Sequence, residues 1–272
     1  MNRKIIIGFI LILIVSIALG FLIIKGFKFT RGLEKTSTGV SLSSLVAQAK
    51  DLKTKGDLLG AKVAYQKLVD NFPNSAEVMN WQKNIEDCNI KLLFSSTITP
   101  KSILYEIKPG DTLTKIAREF KTTPDLIRES NQLSDSKIFP GRKVKVWTAP
   151  FSILVDKSQN ILILKSDEEI IKTYIVSTGK NNCTPVGTFK ITSKLPNPTW
   201  FKAGAVVPAG SPENILGTRW LGFDLPSYGI HGTTDPQSLG RQVTQGCVRM
   251  NNLEVEQLYT IIPLGTEVTI ID

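Results

Sequence analysis

The spacing of hydrophobic and polar positions changes character several times along this chain of 272 residues. Ile5 to Ile24 is an uncharged apolar run, bounded by Arg3 and Lys4 on one side and by Lys25, Lys28 and Arg31 on the other. At ~1.5 Å rise per residue, about twenty residues span a ~30 Å hydrocarbon layer. The pattern predicts a transmembrane segment over 1–28. The small-x-small stretch Ala18-Leu19-Gly20 resembles a signal-peptide cleavage site, but the run continues through Phe21-Leu22-Ile23-Ile24, which favours an uncleaved signal-anchor. Balanced basic flanks leave the orientation open. Both readings carry the chain to a membrane. The remainder is then extracytoplasmic if the N-terminus stays inside, and secreted if the segment is cleaved.

Residues 30–42, rich in Gly, Ser and Thr, read as a linker. Over 43–95 the period becomes helical. Leu45, Ala49 and Leu52 share a face, Gly56-Asp57 breaks the run, and Ala61, Ala64, Tyr65, Leu68 and Val69 follow up to Asn71-Phe72-Pro73-Asn74. A third helix is expected from Ser75 as N-cap, with Met79 and Trp81 in the core. Residues 95–102 read as a second linker. Over 103–148, Tyr105 and Ile107 alternate as in a short strand, and Pro109-Gly110-Asp111 makes a turn. Asp111 or Thr112 caps a helix whose apolar face is Leu113, Ile116, Ala117 and Phe120. Thr123-Pro124 opens a second helix, and Ile138-Phe139-Pro140-Gly141 turns into a strand through Val144 and Val146. The order is βααβ. From 150 to 272, short β-branched runs separated by turns predict an antiparallel sandwich or barrel, with one helix over Asn251–Ile261 and a closing strand.

Charge and cysteine content narrow the chemistry. The net charge of +9 suits an anionic partner, but the basic residues are dispersed, so nucleic acid is not expected. Three cysteines (Cys88, Cys183 and Cys247) form no disulfide framework, and with a single histidine no metal site or cofactor is expected. That histidine, His231, precedes Cys247 by sixteen residues. A thiol attacks as its thiolate, and an imidazole is the usual base that produces one. Gly246 permits a tight turn at the nucleophile, backbone N–H groups there can serve an oxyanion, and Arg249 can bind a carboxylate or lower the thiol pKa. A buried small hydrophobe is the bland alternative for Cys247. Cys183 is read as incidental.

These motifs carry three resemblances. Gly56-Asp57-x-x-Gly60-Ala61-x-x-Ala64-Tyr65 with Asn71-Phe72-Pro73-Asn74 resembles part of a tetratricopeptide repeat; a plain helical spacer remains open, as does a protein partner for this segment. Gly110-Asp111-Thr112-Leu113-x-x-Ile116-Ala117-x-x-Phe120, Asn131-x-Leu133 and Ile138-x-x-Gly141 resemble the LysM module over 104–147. That resemblance implies glycan binding near Gly110, Asp111, Thr112, Leu113, Ile138, Phe139 and Pro140. Ser177-Thr-Gly179, Thr184-Pro185-x-Gly187-x-Phe189, Tyr228-Gly-Ile230-His231-Gly232-Thr233 and Gly246-Cys247-Val-Arg249-Met250-x-Asn252 resemble the YkuD type of L,D-transpeptidase. It implies that Cys247 is the nucleophile and His231 the base and acid. The Gly232 carbonyl then orients the ring, and Gly246 and Arg249 support the site. Tyr228, Thr233, Thr244 and Asn252 contact the substrate. Many members of that family carry histidine where this chain has Gln245, which leaves His231 without a substitute. The expected architecture is therefore multidomain: a transmembrane helix, a helical TPR-like segment, a βααβ LysM module and a mainly-β transpeptidase domain. The implied partners are peptidoglycan glycan strands and stem peptides, and the membrane. A non-catalytic peptidoglycan-binding protein and an L,D-carboxypeptidase are the alternatives.

Overall fold

A computed structural model describes residues 41–272 other than Ala203, in two units, 1–83 and 84–272. The segment expected to cross a membrane, 1–28, lies outside the described residues; no helix among those described is long and apolar enough to do so.

In the first unit, α1 (Leu42–Thr54) starts at Ser41, whose hydroxyl accepts the Ser44 N–H, and α2 (Leu58–Asn71) starts at Asp57, whose carboxylate accepts the Gly60 N–H at 2.9 Å. Each side chain satisfies a donor that the first helical turn leaves open. The two form a hairpin whose buried positions, Leu45, Ala49, Ala61, Ala64, Tyr65 and Leu68, follow the three- and four-residue steps of the sequence. The third helix, α3 (Val78–Leu93), follows a turn in which the Ser75 hydroxyl accepts Glu77 N–H, the contact expected of an N-cap. Trp81, Ile85, Cys88 and Leu92 form its buried face. Met79 is a correction: it is 68% exposed, since a residue two positions from Trp81 points away from that face.

The second unit begins within α3. β1 (Ser102–Glu106) pairs antiparallel with β2 (Lys143–Trp147), and α4 (Leu113–Glu119) and α5 (Pro124–Ser130) lie between them in sequence, giving the expected βααβ order. Thr112 and Thr123 cap the helices, accepting from Lys115 N–H and Leu126 N–H. Ile107, Leu113, Ile116, Ala117, Ile127, Leu133, Val144 and Val146 form a core of their own.

Residues 95–102 are held in place instead of forming a free linker. The Thr99 N–H donates to the buried Ser102 hydroxyl at 2.8 Å, and the Lys145 ammonium donates to the Leu92 carbonyl and, at 2.8 Å, to that of Ser95. Leu92 lies in the last turn of α3, where carbonyls lack helical partners. The following domain shares apolar surface with this module: Leu126 and Trp147 join its core, and the Trp147 ring stacks on Phe151 at 5.9 Å.

The remaining strands are β3 (Phe151–Asp156), β4 (Ile161–Ser166), β5 (Glu169–Ile175), β6 (Thr178–Gly179), β7 (Gly187–Pro196), β8 (Trp200–Lys202), β9 (Ala205–Val207), β10 (Arg219–Phe223), β11 (Gly229–His231), β12 (Gln242–Thr244), β13 (Val248–Arg249) and β14 (Glu267–Ile271). Eight of them form one sheet in the order β13-β11-β10-β7-β14-β3-β4-β5. The sheet is mixed, not wholly antiparallel as expected, because β11 pairs with β13 and β14 with β3 in parallel. A parallel pair needs a crossover. Between β11 and β13 that crossover is the irregular stretch carrying β12, which has no hydrophobic period to announce it. The single helix, α6 (Asn252–Ile261), packs Val255, Leu258 and Ile261 into the sheet core. Its C-terminal carbonyls are met by Lys194 from β7, which donates to Tyr259 O at 2.6 Å and Ile262 O at 2.8 Å.

Burial pulls the Lys145 and Lys194 ammonium groups down to about 8. They donate to carbonyls at and just beyond the ends of α3 and α6. Lys145→Met keeps the volume but removes the donor that ties the Leu92 and Ser95 carbonyls to the module. The expected loss is about 1–3 kcal/mol in urea unfolding; an unchanged midpoint would refute this account of the join.

Candidate active site

The parallel pairing of β11 with β13 sets the site. Ile230 is opposite Val248 and His231 is opposite Arg249. Side chains alternate along a strand, so Ile230 and Val248 point into the core, both fully buried, while His231 and Arg249 share the other face with Cys247. β13 is held on its far side by Ser177, whose backbone exchanges two 2.8 Å hydrogen bonds with that of Arg249.

The turn before β13 is built by Thr244. Its hydroxyl donates to Cys247 O at 2.7 Å and accepts Gly246 N–H at 3.1 Å. The Gly246 N–H is therefore occupied within the turn and is not free for an oxyanion. Gly246 has φ +124, and a Cβ there would lie 2.7 Å from the Tyr228 ring. Both the backbone conformation and the aromatic contact require glycine. Tyr228 thus packs against the turn that carries the cysteine.

His231 is 2% exposed. Its Nδ1 lies 2.7 Å from the Gly232 carbonyl. A carbonyl can only accept, so Nδ1 carries the proton and Nε2 of the neutral ring is an unprotonated base. Trp220, the antiparallel partner of His231 on β10, stacks near it at 6.1 Å and 18° between rings. Burial lowers the His231 pKa to about 4, against the favourable bond to Gly232 O. Burial raises that of the Cys247 thiol, opposed by a backbone hydrogen bond from Gly229 and by the Arg249 charge. The resting pair is neutral, a thiol and an imidazole. In this rotamer Cys247 donates its S–H to Ser227 O at 3.4 Å.

Arg249 Nη1 donates to Ser238 Oγ at 2.8 Å, and its Nε is buried without a hydrogen-bond partner among the described residues. Ser238 Oγ in turn donates to Asp235 O. Cys183 is exposed, with its sulfur against Gly179.

The other expected contact residues make the following contacts within the protein. Thr244 is buried in the turn, and Thr233 is 3% exposed, its hydroxyl accepting Asp235 N–H. The Asn252 amide faces the backbone of Thr218 and Thr233. In the LysM module, Leu113 is core, Thr112 caps α4, and Asp111 accepts from Lys108 N–H and Tyr105 OH. Gly110 and Pro140 are exposed, Ile138 is half-buried, and Phe139 is 67% exposed. Trp220 and Ser238 were not foreseen, because their relation to the site comes from strand register and a crossover, neither of which has a local signature. Among the described residues no group of three or more His, Cys, Asp or Glu is placed to hold a metal ion.

The LysM domain model matches residues 105–147, and the model of the YkuD L,D-transpeptidase catalytic domain matches 150–270. A Bacillus licheniformis protein named L,D-transpeptidase YkuD is 35% identical over 176 residues, 62% of this chain and 98% of its own length. The chain belongs to the YkuD family of L,D-transpeptidases. The Bacillus subtilis protein of the same name is 33% identical over 62% of this chain and 98% of its own. A solved L,D-transpeptidase from Mycobacterium tuberculosis aligns with a TM-score of 0.40 at 13% identity, covering 66% of this chain and 99% of that one. The protein therefore joins an L,D-transpeptidase catalytic domain to a LysM peptidoglycan-binding domain.

Because the chain has one histidine, its burial can be read in bulk stability. The folded value of about 4 lies below the ordinary 6.5. The unfolded chain therefore takes up this proton first as pH falls. The contribution to stability is complete above 6.5 and is lost progressively down to about 4. Across that window the wild type should lose about 3 kcal/mol more than His231→Asn in urea titrations. Parallel profiles would mean that the ring is not held neutral.

Proposed function

We propose that the enzyme acts on peptidoglycan stem peptides through a thioester on Cys247. The shared face of Cys247, His231 and Arg249 on β11 and β13, with the ring aligned by Gly232 O, supports this reading. His231 Nε2 takes the proton of Cys247, and the sulfur adds to the carbonyl of the third stem residue, a diamino acid. Collapse of the tetrahedral intermediate breaks the bond to the terminal D-alanine, whose amine leaves with the proton from His231. An acceptor amine then attacks the thioester, gives its proton to His231, and displaces the thiolate, which is reprotonated. An amine on another stem gives a cross-link, a protein amine gives an attachment, and water gives carboxypeptidation. The Arg249 charge favours the Cys247 thiolate that this route requires.

In the LysM module, exposed Phe139 offers a ring face to a sugar. Residues 1–28, by their apolar length, hold the enzyme on the outer side of the membrane.

The test is incubation with disaccharide tetrapeptide, following D-alanine release and dimer formation by mass spectrometry. Cys247→Ala and His231→Ala should each abolish release, and Arg249→Ala should lower it by about tenfold or more. Turnover persisting in Cys247→Ala would rule out the thioester route. Phe139→Ala should weaken sedimentation with peptidoglycan while leaving tetrapeptide turnover intact; undiminished sedimentation would remove Phe139 from the glycan surface.

A further inference from the structure

The Gly232 carbonyl that holds the His231 ring belongs to the same peptide plane as the Thr233 N–H. That N–H donates to Asn252 Oδ1 at 2.9 Å. The Asn252 amide returns the contact, with Nδ2 donating to Thr233 O at 2.8 Å, and Oδ1 also accepts Thr218 N–H at 3.3 Å. One side chain therefore grips both ends of Thr233 and ties them to Thr218, the residue before β10. A peptide plane is rigid, so fixing its N–H fixes the direction of its C=O. On the other side that C=O accepts Nδ1–H of His231 at 2.7 Å.

The glycines around this grip are explained by it. A Cβ on Gly232 would lie 2.1 Å from Asn252 Oδ1, and one on Gly217 would lie 2.3 Å from the same oxygen and 2.4 Å from Thr233 N. Gly217 has φ +63 as well. The space is kept clear for an amide to reach the peptide. Asn252 itself is the first residue of α6, and the preceding Asn251 caps that helix by accepting Leu253 N–H at 2.9 Å. The grip is thus mounted on a helix end that is itself hydrogen-bonded.

We propose that Asn252 is a positioning residue for His231, acting through the Gly232–Thr233 peptide. The chain of bonds runs from amide to peptide to imidazole. An acceptor on the peptide N–H polarises its C=O and strengthens the bond to Nδ1–H. It therefore selects the tautomer with Nε2 free, and it supports the ring when that ring becomes charged. A side-chain carboxylate does this by direct contact in a serine-protease triad; here an amide does it one peptide removed. The inference rests on His231 being the base in the proposed reaction.

The test uses the full chain in detergent, labelled with 15N-histidine. The single histidine gives one imidazole spin system. In the wild type the nitrogen shifts should show the Nδ1–H tautomer alone. Asn252→Leu, similar in size but without an acceptor, should show a mixture of tautomers. Its kcat should fall about 10²-fold with KM changed little. Asn252→Asp keeps an acceptor for the two N–H groups but sets an oxygen against Thr233 O. It should recover the Nδ1–H tautomer and part of the turnover. A folded Asn252→Leu with a single Nδ1–H tautomer and wild-type kcat would overturn the proposal. If Asn252→Leu does not fold, loss of the Nδ1–H tautomer in folded Asn252→Asp would do so. His231→Ala is measured in parallel. Turnover retained there defeats the catalytic reading, whereas an inactive His231→Ala beside a normal Asn252→Leu defeats this inference alone.

Discussion

Everything at the site depends on the register between β11 and β13. The pairing of Ile230 with Val248 puts two fully buried aliphatic side chains into the core. Because side chains alternate, the same pairing puts His231, Arg249 and Cys247 together on the opposite face. A slip of one residue would turn the reactive groups into the core and the aliphatic ones out of it. The hydrophobic effect on Ile230 and Val248 thus enforces the arrangement proposed for catalysis without touching it. Ser177 on one side of β13 and the Thr244 turn at its start leave that register no freedom.

Burial is the second constraint, and it acts on charge. His231 sits beneath Trp220 in a site that disfavours the imidazolium, and Cys247 sits where the thiolate is disfavoured. Under the proposed reaction, a pair that is neutral at rest must create its charges as it acts. Electrostatic partners are then worth most in the transition state, where low local dielectric strengthens them. In that reaction the Gly232 carbonyl would face the charged ring and the Arg249 charge the thiolate. Elsewhere in the fold the same penalty is handled differently: Lys145 and Lys194 are buried as donors to carbonyls at and just beyond helix ends, so their desolvation is offset by hydrogen bonds.

How much of this was legible in the sequence follows from what local patterns can carry. Caps at Thr112 and Thr123, the helical faces of the hairpin and the βααβ order depend on residues within a few positions of one another, so local spacing announces them. The meeting of Cys247 and His231 on one face was also legible, because the chain has one histidine and the glycines and arginine flanking the pair have few other uses. Strand order was not legible, since the parallel pairs join residues whose separation has no period. Thr244, Thr233 and Asn252 stand in the motif beside the reactive groups, but proximity in sequence does not say which way a side chain turns. All three face the backbone that shapes the site. Residues 95–102 have the composition of a linker, yet a lysine fifty positions away orders them, and composition cannot register such a partner.

The resting place of the thiol completes the physical picture. Ser227 adopts φ +70, a left-handed conformation that costs energy for a residue with a Cβ. It presents its carbonyl to the Cys247 S–H. A carbonyl accepts a proton donor and repels a thiolate, so this contact favours the protonated sulfur and agrees with the raised thiol pKa. Under the proposed reaction, the sulfur must leave Ser227 O before His231 Nε2 can take its proton. Rotation of the cysteine side chain, proton transfer and attack are then tied together. Without substrate the thiol stays protonated, which limits its oxidation in an extracytoplasmic setting, because reactivity follows thiolate character.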